Sequence, residues 1–480
     1  MRRPRPGAAE RGDPLTLAEF RALVAPLGPF EPGPAIAVAA SGGPDSSALA
    51  LLARQWAAER GGTVCAFVVD HGLRPDSAAE AAAAADRLRS CGIATEMLVW
   101  HGPKPASGLM AAARDARLAL LAGACRRQGI LHLMLAHQRE DQAETVAMRS
   151  ERGSGAPGRA GIPAIRELRG VRILRPFLPV PKARLIATLR AAQLPWTEDP
   201  SNRDPRFHRA RLRQAAGLDH DALWQEARRC ALARAAADAR TAALMARVAR
   251  PHRLGFARVD RGAWRELPAA ERTALLARLL ACIGGQAYPV AGAKVRMAAT
   301  RADQGTMTLG GCIILTRRAE LLVCREAGRI SDRVTLATGD RLLWDGRWEL
   351  QAARAPGRIE LRALGPGGRS ALPAAVRAAL RRADIPAAAL EPLPAAWAEG
   401  RLLVCPPLAA WEPRRAGAVL ITAAFRPTYP LTAAEFGGVN VVSNPQPPIY
   451  RREAGSDPAS EIPSALSSSG MPGPTSRRAQ

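Results

Sequence analysis

Ser41-Gly-Gly-Pro-Asp-Ser46 joins an apolar run, Ala35 to Ala40, to a stretch of helical character beginning at Ser47. A strand that turns through glycines into a helix leaves backbone N–H groups at the mouth of the turn, at the positive end of the helix dipole, and so offers a seat for phosphate oxygens. Gly42 and Gly43 permit close approach, and Ser41, Ser46 and Ser47 add hydroxyls. Asp45 is the unexpected member. A carboxylate beside polyphosphate is repelled unless a divalent cation lies between them, so Asp45 predicts Mg2+. The lysine of the Walker loop is missing, which argues against a P-loop enzyme that transfers a γ-phosphate.

Two further polar clusters are expected at strand ends. One is Asp70-His71-Gly72-Leu73-Arg74-Pro75; the other runs from Ala136 and His137 through Gln138, Arg139, Glu140 and Asp141 to Glu144 and Thr145. Asp141 and Glu144 are three apart on the helix that this second cluster begins, so their carboxyls share a face. Open α/β sheets bind ligands at the carboxyl ends of their strands, which is where all three clusters fall.

The elements that must position them alternate. Strands are read at 35–40, 63–70, 94–100 and 132–137 with helices between, the pattern of a doubly wound parallel α/β sheet. Ser77 and Glu80 have capping-box spacing and mark a helix start. A polar loop at 152–161 precedes an extended stretch, 171–178, and a helix over 182–193. Ala/Arg/Leu periodicity from Asp219 to Arg250 predicts a long helix, 307–324 reads as β, and 334–424 mixes strands with Ala-rich helices. The last residues, rich in Pro, Ser and Gly, read as a mostly disordered tail. The expected division is a catalytic domain at 1–217, a mainly helical domain at 218–330, a smaller α+β domain at 331–430 and the tail at 431–480.

The 480 residues carry a formal net charge of +25 and a pI near 11.3, which suits a partner bearing many phosphates. Lysine occurs only at 104, 182 and 294, so arginine supplies nearly all of this charge and part of the excess reads as compositional bias. Eight scattered cysteines without a C-x-x-C pair read as reduced core thiols. No apolar stretch is long enough to cross a bilayer and the amino terminus has no signal-like apolar region, so a cytoplasmic protein without a membrane partner is expected.

The loop SGGPDS resembles that of the PP-loop ATP pyrophosphatases. Together with DHGLRP, AHQREDQAET, RGSG at 152–155, RPF at 175–177 and EDPSNRDPRFHRARLR at 198–213, it resembles the tRNA(Ile)-lysidine synthetase family over roughly residues 30–215. The resemblance implies ATP and Mg2+ as cofactors, with free L-lysine and tRNA(Ile) bearing a CAU anticodon as partners. It implies a two-step reaction: ATP adenylates the 2-oxygen of the wobble cytidine, then lysine attacks that carbon and expels AMP. The decoded amino acid changes from methionine to isoleucine.

On that reading Ser41, Gly42, Gly43, Pro44, Asp45 and Ser46 hold the nucleotide, with Asp45 as the Mg2+ ligand. Asp45, Asp141, Arg114 and Arg211 are the expected catalytic residues; His137, Glu144, Arg117 and Arg209 are candidates for contact with lysine or the base, and Arg213 lies beside them. Gln138, Glu140, Leu118 and Ala210 depart from the family pattern, where His, Asp, Tyr and Asn are usual. Competing readings are a PP-loop tRNA thiolase, disfavoured by the missing C-x-x-C pair, and a nucleotide-sensing RNA-binding protein without catalysis. A homo-oligomer is left open.

Overall fold

The computed structural model describes residues 12–431 apart from 103, 106, 169, 198–210, 212–217, 287, 356, 410–418 and 430, all within one compact unit. Its first sheet contains β1 (Ala35–Ala40), β2 (Thr63–Asp70), β3 (Ala94–Val99), β4 (His132–Met134), β5 (Ile165–Leu168) and β6 (Val171–Leu174), in the order β3-β2-β1-β4-β6-β5. All neighbours are parallel except β5 on β6. This is the doubly wound α/β sheet expected.

Side-chain alternation explains why β1 is central. Ile36, Val38 and Ala40 face one core, shared with helices α1 (Leu17–Val24), α2 (Pro44–Ala58), α3 (Ser77–Ser90) and α7 (Lys182–Ala191); Ala37 and Ala39 face another, shared with α4 (Leu109–Arg127). A strand covered on both faces reads as a continuous apolar run, and its alanines let helices approach closely.

Several boundaries move. β3 ends at Val99 and β4 at Met134, three residues short of His137, because beyond the ladder the chain turns to form the site. The stretch expected to be extended through 178 leaves the sheet after Leu174 and tucks Phe177 against Phe20 at 5.8 Å. The capping box at Ser77 is not formed. Asp76 stands at the N-cap with no side-chain bond, and Glu80 instead pairs with Arg74 at 2.9 Å. Capping boxes do close at Thr16–Glu19 and at Gln138–Asp141, the latter opening α5 (Arg139–Glu151).

After the four-residue α6 (Ala156–Arg159), the long helix α8 (His220–Val248) starts with Asp219 accepting from the Ala222 amide, and packs on α5 and α6. The residues expected to be mainly helical also build a five-stranded sheet, β7-β8-β11-β10-β9, from β7 (Ala249–His252), β8 (Phe256–Asp260), β9 (Met307–Leu309), β10 (Cys312–Thr316) and β11 (Glu320–Arg325). Residues 334–425 add two further antiparallel sheets of four and three strands. Leu254, Phe256, Leu322 and Cys324 share a core with Trp344, Trp348 and Leu350, so the last two regions are packed as one apolar body.

All eight cysteines are free thiols. Burial pushes those of Cys125, Cys282 and Cys324 up to about 12, which makes them inert packing groups. Among the described residues no helix is long and apolar enough to cross a membrane.

Candidate active site

β1 lies between β2 and β4, and the chain switches direction there: α2 and α3 lead outward to β2 and β3, and α4 crosses back to β4. Parallel neighbours sit about 4.8 Å apart. The loop after β1 is therefore flanked by Asp70-His71 on one side and by His137 on the other, at the crevice where such sheets take ligands.

The two glycines of the loop differ. Gly42 has φ +77, and a Cβ there would stand 2.8 Å from the Ala84 Cβ on α3, so the fold itself requires glycine. Gly43 has φ −76 and ψ 167, which any residue adopts, and its Cβ would meet Ser41 Oγ at 3.5 Å and the Thr197 carbonyl at 3.9 Å, ordinary contacts. Neither backbone strain nor packing calls for glycine at 43. Glycine suits an N-cap, and without a side chain it leaves the main chain there open to close approach.

Gly43 is also the N-cap of α2 without any side-chain cap, and Pro44 occupies the first helical turn. The first-turn amides of a helix have no partner within it. Their usual competitors are turned inward: Ser46 Oγ takes the Ser41 amide at 3.1 Å and donates to the Gly43 carbonyl at 3.1 Å, and Ser47 Oγ donates to the same carbonyl at 3.0 Å. The serines thus shape the turn. Asp45 sits half-buried in the first turn of α2. Amides, hydroxyls and one carboxylate at a helix N-terminus form a donor set that fits a polyphosphate with a hard divalent cation.

On the β2 side, Asp70 is buried and its Oδ1 takes the Gly72 amide at 2.9 Å, closing the turn that carries His71. Burial lowers the proton affinity of His71, and the nearby Arg117 lowers it further. Arg117 on α4 is itself pushed down by burial and by Arg114. Arg114 also acts on Arg175, which follows β6, is 7% exposed and is pushed down to about 9, chiefly by burial. Arg175 Nε donates to His137 Nδ1 at 3.2 Å. Arg114, Arg117, Arg175, His71 and His137 therefore form one linked group along the carboxyl edge of the sheet.

The expected acid pair is placed less simply. Asp141 Oδ2 accepts from the Gln138 amide at 3.1 Å as half of the α5 capping box, while Glu144 is 1% exposed. One oxygen of Asp141 thus holds the helix. Three departures from the family pattern acquire local reasons: Gln138 caps α5 through the Glu140 amide at 2.6 Å, Glu140 accepts the Lys182 amide at the start of α7, and Leu118 packs into the core around α4. Arg211 is described and exposed; Arg209, Ala210 and Arg213 lie outside the described residues.

Residues that sequence reasoning passed over stand behind the loop. The Thr197 amide donates to the Gly42 carbonyl at 3.0 Å, and Arg87 donates to Thr197 Oγ1 at 2.6 Å. Thr197, the residue directly before the 198–213 motif, is thus itself tied to the glycine-rich turn. Its place next to the motif was the available signal.

A PP-loop domain family model matches residues 16–217. The tRNA(Ile)-lysidine synthase of Rhodopseudomonas palustris is 49% identical over 44% of this chain and 64% of its own length. That of Bradyrhizobium sp. strain BTAi1 is 40% identical over 64% of this chain and 88% of its own, and that of Ruegeria pomeroyi 37% over 79% and 90%. Among solved structures, a U34-tRNA thiolase from Methanococcus maripaludis superposes with a TM-score of 0.37 at 16% identity, covering 44% of this chain and 76% of that one, too distant to carry an argument. With the glycine-rich crevice at the sheet's switch point and two of these relatives matched over 88% and 90% of their length, the chain belongs to the tRNA(Ile)-lysidine synthase family.

Proposed function

We propose that this chain ligates free L-lysine to carbon 2 of the wobble cytidine in the CAU anticodon of tRNA(Ile), consuming ATP and releasing AMP and pyrophosphate. The observation that carries the reading is Gly43: a glycine that neither strain nor packing requires, at the start of α2 with no side-chain cap, between Asp70-His71 and His137. There the turn holds ATP through Ser41, Gly42, Gly43, Pro44 and Ser46, and Asp45 would hold Mg2+. The metal, when bound, offsets the charge of the phosphates.

The 2-oxygen of cytidine attacks the α-phosphorus and pyrophosphate leaves. Amides aimed at the phosphates stabilise charge as it develops, with Arg114 and Arg211 assisting. Lysine arrives as an ammonium with an ordinary pKa of about 10.4 and must lose a proton before its ε-nitrogen can attack. Asp141 and Glu144 are assigned to its recognition and to accepting that proton. The nitrogen adds at carbon 2, the bond from that carbon to the adenylate oxygen breaks, and AMP departs. Arg117 and Arg209 are assigned to the splayed base, which must leave the anticodon stack to react. Residues 1–217 form the catalytic domain in this account, and 218–330 and 331–430 bind the tRNA.

The test supplies full-length protein with ATP, Mg2+, labelled lysine and an isoleucine tRNA transcript bearing CAU. Label enters the tRNA with the wild type and fails to enter with Asp45→Asn; equal incorporation by the variant contradicts the assignment.

A further inference from the structure

His137 has two ring nitrogens, and the structure constrains one of them. Arg175 is fixed on three sides: its amide donates to the Ala164 carbonyl at 2.9 Å, Nη1 donates to the Pro163 carbonyl at 2.8 Å, and Nε donates to His137 Nδ1 at 3.2 Å. A guanidinium has donors only. Nδ1 must therefore present a lone pair, because a proton there would oppose donor to donor beside a positive charge. The ring's proton then belongs on Nε2. Even pushed down to about 9, Arg175 keeps its proton at neutral pH, so the donor role holds.

The surroundings favour the same state. His137 immediately precedes Gln138, the N-cap of α5, so the ring sits at the positive end of a helix dipole, with Arg114 acting on the same group of side chains. The ring is well placed to donate to an anion.

Resting on the function proposed above, we propose that Arg175 is a positioning residue that holds His137 as the Nε2–H tautomer, so that His137 donates a hydrogen bond to a phosphoryl oxygen of the bound nucleotide and is not the base that deprotonates lysine. Proton acceptance is left to the carboxylates of α5.

Two substitutions separate a donor from a base. The side-chain amide of glutamine reaches the place of histidine Nε2 and donates without titrating. His137→Gln should retain about a tenth of the wild-type lysine incorporation, while His137→Ala should fall below about a hundredth, the loss typical of a missing oxyanion donor. Affinity for a non-hydrolysable ATP analogue should rank the same way. Glutamine as inactive as alanine, or alanine equal to wild type, overturns the donor role.

The tautomer is read separately, by 15N resonances of histidine-labelled full-length protein with His137→Gln used for assignment. An unprotonated Nδ1 and protonated Nε2 at neutral pH are expected, and Arg175→Met should bring in the Nδ1–H form. A protonated Nδ1 in the wild type overturns the proposal whether or not Arg175→Met folds. A wild type that incorporates no lysine refutes the function proposed above, and leaves the tautomer and nucleotide arms still decisive for this one.

Discussion

Arg325 and Arg347, in the carboxyl-terminal half, converge on one carboxylate; Arg175, at the carboxyl edge of the first sheet, donates to an imidazole nitrogen and a carbonyl. Exposure is similar, 3% and 1% for the first two and 7% for the third. Arg325 Nη2 and Arg347 Nη2 each stand 2.7 Å from Asp345, on its two different oxygens. Spare donors of Arg325 reach the carbonyls of Gly311 and Arg329. That cluster stitches β11 to the residues after 334, where Trp344 and Trp348 fill the shared core. Its charge is answered by a carboxylate. Around Arg175 burial lowers the proton affinity most, and the positive neighbours Arg166 and Arg114 lower it further. The hydrogen-bond acceptors of Arg175 are neutral, whereas Arg325 and Arg347 share a carboxylate.

The largest effect should come from breaking the first cluster. Asp345→Ala leaves two guanidiniums buried without their carboxylate and should cost about 3–5 kcal/mol, read as a lower denaturant midpoint. A midpoint within experimental scatter of wild type would erase the distinction between the two groups. Asp45→Asn should show the reverse profile: a loss of about 100- to 1000-fold in pyrophosphate release with stability nearly unchanged. A variant that loses stability and activity together would make Asp45 part of the fold.

The two glycines sharpen the contrast within a single turn. Gly42→Ala places a methyl against Ala84 at positive φ and should cost about 1–3 kcal/mol of stability. Gly43→Ala should cost no more than about 1 kcal/mol, the difference between glycine and alanine at an N-cap, yet raise the KM for ATP about tenfold, equivalent to about 1.4 kcal/mol of lost contact. Equal KM values for Gly43→Ala and wild type would remove the main support for a ligand at that amide.

The smallest effect concerns the opposite end of the same sheet. His132 is fully buried at the start of β4, with Nε2 at 2.7 Å from Glu31. Burial lowers its proton affinity against the opposing pull of Glu31, so the unfolded chain binds the proton more readily. Stability from this residue is complete above the ordinary histidine value and declines as pH falls from there toward the lower folded value. His132→Phe should flatten this part of the pH–stability curve. A stability that rises on mild acidification would show the pair to be a charged one.

The first sheet was legible because its strands are short apolar runs bounded by turns, and because each chemical cluster lies where a strand ends. Tertiary bonds were not. Ser77 and Glu80 have capping-box spacing, but Arg74, six residues before Glu80, takes its carboxylate. Asp141, read as a site residue, also closes a capping box with Gln138, since a side chain beside a helix start can serve the helix and the cleft alike. Arg175 was visible as the first letter of a motif, whereas its bond to His137 joins residues 38 apart and no local spacing encodes it. The sheet of β7 to β11 was half seen: the hairpins after 307 are continuous in sequence, but β7 and β8 lie before three intervening helices and join β11 only in three dimensions.

The central claim is that the turn from Ser41 to Ser46 holds ATP by its main chain. Crystals of the full chain soaked with a non-hydrolysable ATP analogue and Mg2+ test it most directly. The account predicts phosphate oxygens within hydrogen-bond distance of the amides of residues 43, 45 and 46, with the Asp45 carboxylate on the metal. A nucleotide bound elsewhere while that turn stays empty would contradict it.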